Sequence, residues 1–327
     1  MQSQLRWIEW AARNLAMGVV ERKILDELMA SGYEEAHASA MLREIRSSPL
    51  FPAILRTASD LNKWTSLAEA LLELESQQYD FQRIPKLANL SSTVFHRDYY
   101  CTNRPVIITD VVEKWPALKK WNLDFFRKEF GNELVRYQKG RSHNDHRDAF
   151  IDHTVETHLA QYLDLLNQNA TNADYYLIAH DHLLERTPFK KLLGDIEFDS
   201  RYFDANSTDG RVFFWLGPPG SMTPMHRDLG NVYMAQLLGR KSVTLIPSKQ
   251  LHLVYNEHGY HSEVDFENIS LSDYPLLKHA FIANIILEPG EILFIPIGWW
   301  HHVKSLDITL SITGNNFAFG NHLRALF

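Results

Sequence analysis

His226 and Asp228 stand two residues apart in "MHRDLGNVYMAQLLGRK", inside a run that otherwise reads as buried strand. Side chains at i and i+2 of a strand project from the same face, so an imidazole and a carboxylate are offered together. Imidazole nitrogen and carboxylate oxygen are the donors of facial non-heme iron sites, which need a second histidine from elsewhere. "FIPIGWWHHVKSLDITLSIT" supplies two, His301 and His302, just after an apolar strand and a turn. Spacing alone does not choose between them. The separation, 301 − 228 = 73 residues, is no obstacle, because strands distant in sequence become neighbours in a barrel. An isolated His-x-Asp arises often by chance and then marks a hydrogen-bonded core histidine or an exposed loop, so context must carry the assignment. Two clusters imitate the pattern, "HNDH" at 143–146 and "HDH" at 180–182. Their polar, loop-like surroundings predict solvated residues, or residues that support a site from behind.

Lys241 follows the pair in "GRKSVTL", ahead of an apolar run. A lysine pointing into an apolar barrel is costly unless an anion meets it. "LGRK" equally fits a surface lysine at a hairpin turn. Both readings stand on the residues alone.

The elements that carry these residues belong to a chain of 327 residues, 45% hydrophobic and 22% charged, as in an ordinary soluble globular protein. A net charge of -7 argues against a nucleic-acid backbone as the main partner. A single cysteine, Cys101, excludes an internal disulfide framework and a cysteine-rich zinc site. No apolar run approaches the roughly 18–20 residues of a membrane span. "MQSQLRWIEWAARNLAMG" has charges where a secretion signal needs an apolar core. The expectation is a soluble cytoplasmic protein without membrane contact.

Residues 1–78 carry apolar positions at helical spacing, with Gly18 and Gly32 as stops and Thr65 or Ser66 as the cap of a further helix. Their Leu, Met and Trp stripe reads first as helix packing. "YDFQRIPKLANLS", with Pro85, breaks the pattern and sets the boundary. Residues 79–327 show short β-branched or aromatic runs, "RPVIITDVV", "GRVFFWLGPPG", "KSVTLIPS" and "EILFIPI", interrupted by helical stretches such as "TVETHLAQYLDLLNQ". A β sandwich or barrel with helices packed outside is expected, preceded by an N-terminal helical domain.

"TPMHRD", "AQLLGRKSVTLIP" and "GEILFIPIGWWHHV", in that order, together with "NRPVIITDVVEKWPALKKWNLDFF" and "YYLIAHDHLL", resemble the JmjC-type, cupin-like 2-oxoglutarate oxygenases over roughly residues 80–327. The likeness is greatest to the branch that hydroxylates amino-acid side chains in proteins. The resemblance implies a mainly β fold with α elements, the double-stranded β-helix (jelly-roll). It implies iron(II) held by His226, Asp228 and His301, with His302 as a neighbour on the opposite strand face. It implies 2-oxoglutarate as cosubstrate and dioxygen as oxidant. The far carboxylate of 2-oxoglutarate would bind Lys241, Thr223 and Tyr176, although Tyr175 is adjacent. Many relatives carry an asparagine six residues after the first histidine. Here that position is Val232, and Asn231 stands one place earlier. A one-residue slip turns a strand side chain to the other face, so either a bulge restores Asn231 to the site or the contact is lost. Asn315, in "SITGNNF", is a second candidate for the cosubstrate pocket.

The chemistry so implied is decarboxylation of 2-oxoglutarate to succinate coupled to hydroxylation of a C–H bond, which needs no side-chain acid or base. Trp215, Arg227, Trp300 and Asn316 are the candidate substrate-lining residues. The expected substrate is a protein or peptide side chain. Alternatives are a small-molecule metabolite, a non-catalytic cupin-like binding module, and a zinc hydrolase that would leave Lys241 without a role. The N-terminal helices are the candidate for homodimerisation or substrate docking, since an amphipathic bundle must cover its apolar stripe.

Overall fold

Helical periodicity at the N-terminus produces α1 (Gln2–Ala16), α2 (Glu21–Ala30), α3 (Glu35–Ser47) and α4 (Phe51–Ser76). The computed structural model describes residues 2–139, 154–168, 175–256 and 259–321. Gly18 (φ +78°) and Gly32 (φ +94°) take the left-handed conformation after α1 and α2, where a side chain would be strained. Ala11, Leu15, Ile24, Leu28, Leu42 and Ile45 pack into a core of their own. Thr65 and Ser66 cap nothing: α4 runs unbroken through them, because no Gly or Pro interrupts the apolar spacing there. The chain divides into two compact units, Met1–Glu75 and Ser76–Phe327, with the division at Glu75 against the expected 78.

The second unit is built on strands. They are β1 (Lys86–Leu87), β2 (Val106–Ile108), β3 (Leu134–Gln138), β4 (Thr154–His158), β5 (Val212–Gly217) and β6 (Met222–Arg227). They continue with β7 (Val232–Leu238), β8 (Lys241–Ile246), β9 (Ala283–Leu287), β10 (Ile292–Ile295), β11 (Trp300–Ser305) and β12 (Thr309–Gly314). The larger sheet has the order β1-β2-β10-β7-β12-β5 and the smaller β6-β11-β8-β9, while β3 pairs with β4. From β5 onward the chain passes repeatedly between the two sheets, which makes the double-stranded β-helix. "TVETHLAQYLDLLNQ" is not one helix. Its first five residues are β4 and the helix begins at Leu159, as the β-branched Thr154, Val155 and Thr157 favour.

The period of two along the larger sheet separates a packed face from a working one. In β5, Val212, Phe214 and Leu216 join the aromatic core with Phe95, Trp121 and Phe126, while Phe213 and Trp215 line a cavity. In β7, Ala235 and Leu237 face that core and Val232 and Met234 face the cavity. Among the described residues, no helix is long and apolar enough to cross a membrane.

Candidate metal centre

The antiparallel register of β6 and β11 sets His301 directly opposite His226 and Trp300 opposite Arg227. Residues opposite each other across strands share a face, so both imidazoles point the same way. Asp228, just beyond the end of β6, brings its carboxylate to them. Ligand atoms of His226, Asp228 and His301 all lie within 4.8 Å of one another. The two imidazole centroids are 4.1 Å apart, and His301 Nε2 is 3.6 Å from Asp228 Oδ2.

Backbone carbonyls select the tautomers. His226 Nδ1 donates to the Pro224 carbonyl at 2.8 Å and His301 Nδ1 donates to that of Trp299 at 3.1 Å. A carbonyl only accepts, so each Nδ1 carries a hydrogen, and in the neutral ring Nε2 is the nitrogen left with a lone pair. Burial, followed by the neighbouring His301, pushes His226 down to about 4, which holds it in the neutral form that ligates metals. His302 points elsewhere, with its Nε2 3.7 Å from Glu267 Oε1 and its ring stacked on Phe266.

A cavity of about 930 Å³ is lined by this triad together with Tyr176, Thr223, Lys241, Trp215, Arg227 and Asn315. Lys241 is only 2% exposed. Its Nζ donates to the Tyr176 hydroxyl at 3.2 Å, and among the described residues no carboxylate pairs with it. Burial pushes the ammonium down to about 7. The surface role in the "LGRK" turn belongs to Arg240, whose Nε donates to Asp307 at 2.8 Å. Of the adjacent tyrosines, Tyr176 meets the lysine, while Tyr175 packs on Tyr137. Gly217 makes room for the Tyr176 ring: a Cβ there would lie 2.5 Å from a ring carbon. Two imidazoles and a carboxylate, beside a buried lysine that meets no carboxylate among the described residues, suit a divalent metal and an anionic chelator in one cavity.

Asn231, Asn316 and Trp300 do not line the cavity among the described residues. Asn231 precedes β7 with no bulge to turn it inward, and its Oδ1 accepts from the Ile297 N–H at 2.8 Å. It pins the turn that leads to His301. Asn316 is fully buried, accepting from the Tyr233 hydroxyl at 2.8 Å and donating to the Asp204 carbonyl at 3.0 Å. Trp300 alternates with His301 along β11 and packs among Met225, Ile246 and Val254.

In the "HDH" segment the expected solvated character holds for His180 and His182, which are exposed, and not for Asp181. Asp181 is 2% exposed and accepts from Arg136 at 3.2 Å and Arg186 at 2.7 Å, while His180 lines the cavity. The "HNDH" segment lies outside the described residues. His261, Tyr260 and Asn321 also line the cavity, and no sequence motif marks them. His261 arrives through an isolated backbone bridge to His226, which no periodicity could announce. Asn321 donates to the carbonyls of Asn231 (2.9 Å) and Asn315 (3.2 Å), tying the segment before β7 to the segment after β12.

Residues 91–317 match the model of the cupin-like domain. The chain is 31% identical over 242 residues to a protein of Arabidopsis thaliana named lysine-specific demethylase JMJ30, covering 71% of this chain and 54% of that one. It is 30% identical over 234 residues to lysine-specific demethylase 8 of Xenopus tropicalis, covering 70% and 52%. It is 27% identical over 252 residues to a protein of Gallus gallus named 2-oxoglutarate and iron-dependent oxygenase JMJD4, covering 71% and 59%. The matches thus span between about half and three-fifths of these relatives' length. JmjC oxygenases use iron(II), 2-oxoglutarate and dioxygen. The chain belongs to the cupin-like domain family, alongside relatives of JmjC type.

Proposed function

We propose that this chain is an iron(II)- and 2-oxoglutarate-dependent oxygenase that hydroxylates an amino-acid side chain in a protein or peptide. The observation that carries the reading is the shared cavity, with His226, Asp228 and His301 on one part of its wall and the buried Lys241–Tyr176 pair on another. The triad would hold the metal through two Nε2 atoms and a carboxylate oxygen. Lys241, Tyr176 and Thr223 would hold the far carboxylate of 2-oxoglutarate, with Asn315 lining the same cavity. When bound, iron and cosubstrate supply the oxidising chemistry: 2-oxoglutarate becomes succinate and carbon dioxide, and one oxygen atom enters a C–H bond of the substrate. The protein orients both imidazoles through their Nδ1 hydrogen bonds, keeps His226 neutral by burial, offers a cation in a water-poor pocket, and excludes solvent with the aromatic walls Phe213 and Trp215. No side chain is required as general acid or base.

The N-terminal helices belong to the same reading as a self-association or docking unit. It is supported by Leu61, Trp64, Leu67 and Leu71 of α4, all exposed. Cytoplasmic residence is supported by the single, free Cys101.

The test is a mass screen of cell peptides and metabolites incubated with the protein, iron(II), ascorbate and 2-oxoglutarate. A stable gain of one oxygen on a peptide supports hydroxylation. Loss of a methyl group with release of formaldehyde would make the chain a demethylase, as two relatives are named. A gain on a metabolite alone would move the substrate to small molecules.

A further inference from the structure

Arg227 sits in sequence between two metal-ligand positions and lines the same cavity. Its guanidinium carbon lies 5.2 Å from the Tyr260 ring centroid and 5.7 Å from that of Trp300. Trp300 is fully buried, and Tyr260 is itself a cavity wall. The two rings hold the guanidinium without giving it a hydrogen-bond acceptor. Its Nε is buried and has no partner. Among the described residues no carboxylate pairs with it. By contrast Arg201 is matched to Asp199 and Asp110, and Arg136 and Arg186 share Asp181. A half-buried guanidinium whose Nε has lost water without gaining an acceptor is costly, and its planar fork suits a carboxylate in two-point contact.

The remaining wall has the same bias. Asp228 is the only carboxylate among the described lining residues, and it is a candidate metal ligand. The other polar groups, His180, His261, Asn315 and Asn321, bring no negative charge. A lysine or arginine side chain entering here would meet no free counter-charge among the described residues, and burying it so is unfavourable. Under the function proposed above, the two carboxylates of 2-oxoglutarate are taken by the metal and by Lys241, which leaves Arg227 for another anion.

We infer that the polypeptide segment entering this cavity is acidic and that Arg227 holds one of its carboxylates. The oxidative outcome rests on the proposed function. The charge preference does not, and it departs from the lysine specificity in two relatives' names.

The experiment uses the full chain with manganese(II) in place of iron, 2-oxoglutarate, and fluorescein-labelled peptide libraries. These are randomised except for a central Asp, Glu, Gln, Lys, trimethyl-lysine or Arg, and binding is read by anisotropy. The Asp and Glu libraries are expected to bind at least about ten-fold more tightly than the basic ones, the scale of one charge-assisted hydrogen bond. Arg227→Gln should abolish that preference and Arg227→Lys should keep part of it. Equal or tighter binding of the basic libraries overturns the inference. So does a preference that survives Arg227→Gln, or binding by no library. Weakened 2-oxoglutarate binding in Arg227→Gln with the peptide preference intact would assign the residue to the cosubstrate instead. A second arm replaces manganese with iron. If acidic libraries bind but gain no oxygen and release no succinate, the charge preference stands and the oxygenase reading fails. If oxygen is gained by basic libraries alone, the oxygenase reading stands and the charge preference fails.

Discussion

Lys241 concentrates the electrostatics of the site. Its ammonium is buried against Tyr176 and meets no carboxylate among the described residues, so an incoming carboxylate would be its first counter-charge. Replacing it with methionine removes one partner of that pair. Lys241→Met is expected to weaken 2-oxoglutarate binding by about 3–5 kcal/mol while iron binding changes far less. Titration of each ligand separately checks this, and unchanged cosubstrate affinity would remove the lysine from the site. The pH dependence has a definite sign. Burial lowers the free-enzyme value to about 7, and a bound carboxylate raises it again. Binding should therefore take up a proton above pH 7, and 2-oxoglutarate affinity should fall as pH rises from there. Calorimetry at pH 8 in two buffers of different ionisation enthalpy measures the uptake, and a net release would contradict it. For the unliganded protein, the unfolded lysine keeps its proton up to about 10.4 while the folded one releases it near 7. This group's contribution to stability therefore improves as pH rises between those values.

Placement of the site depends on register, on one tight fit and on one hydrogen-bonded turn. Gly217 of β5 lies under the Tyr176 ring, where an added methyl would come within 2.5 Å. Gly217→Ala should displace Tyr176, lower stability by about 1–3 kcal/mol, and weaken 2-oxoglutarate binding. Thermal unfolding and cosubstrate titration test both effects. Full retention of both would mean that the strand yields instead. Asn231→Ala removes the acceptor of the Ile297 N–H in the turn before β11 and should cost about 1–3 kcal/mol in a melt. Short β-branched or aromatic runs bounded by Gly, Pro or charge make β5, β8 and β10 readable in the sequence, and the same-face rule makes His226 and Asp228 a pair before the chain is folded. The choice of His301 over His302 needs the family resemblance. In the structure it takes the form of pairing with His226 and opposite strand faces. The direction of Asn231 is not legible, because it depends on where β7 begins, which a sequence pattern does not resolve to one residue. Asp181 of "HDH" looks solvated in the sequence because its partners, Arg136 and Arg186, become visible as its neutralisers only once the chain is folded.

At the scale of the molecule, every candidate ligand and cosubstrate contact falls in Ser76–Phe327, and the helical unit contributes none of them. A chain beginning at Ser76 should retain iron and 2-oxoglutarate binding while losing self-association or action on the true substrate. Light scattering and succinate release measure the two parts. A folded product unable to bind either ligand would show that the helices complete the site. The central claim, that one cavity chelates iron and 2-oxoglutarate through His226, Asp228 and His301, has its most direct test in an anaerobic visible spectrum. Iron(II) and 2-oxoglutarate added to the full chain should produce the metal-to-ligand charge-transfer band of a bidentate 2-oxo acid. His301→Ala should abolish that band and His302→Ala should keep it. No band in the unaltered protein, or a band that survives His301→Ala and disappears in His302→Ala, would contradict the assignment.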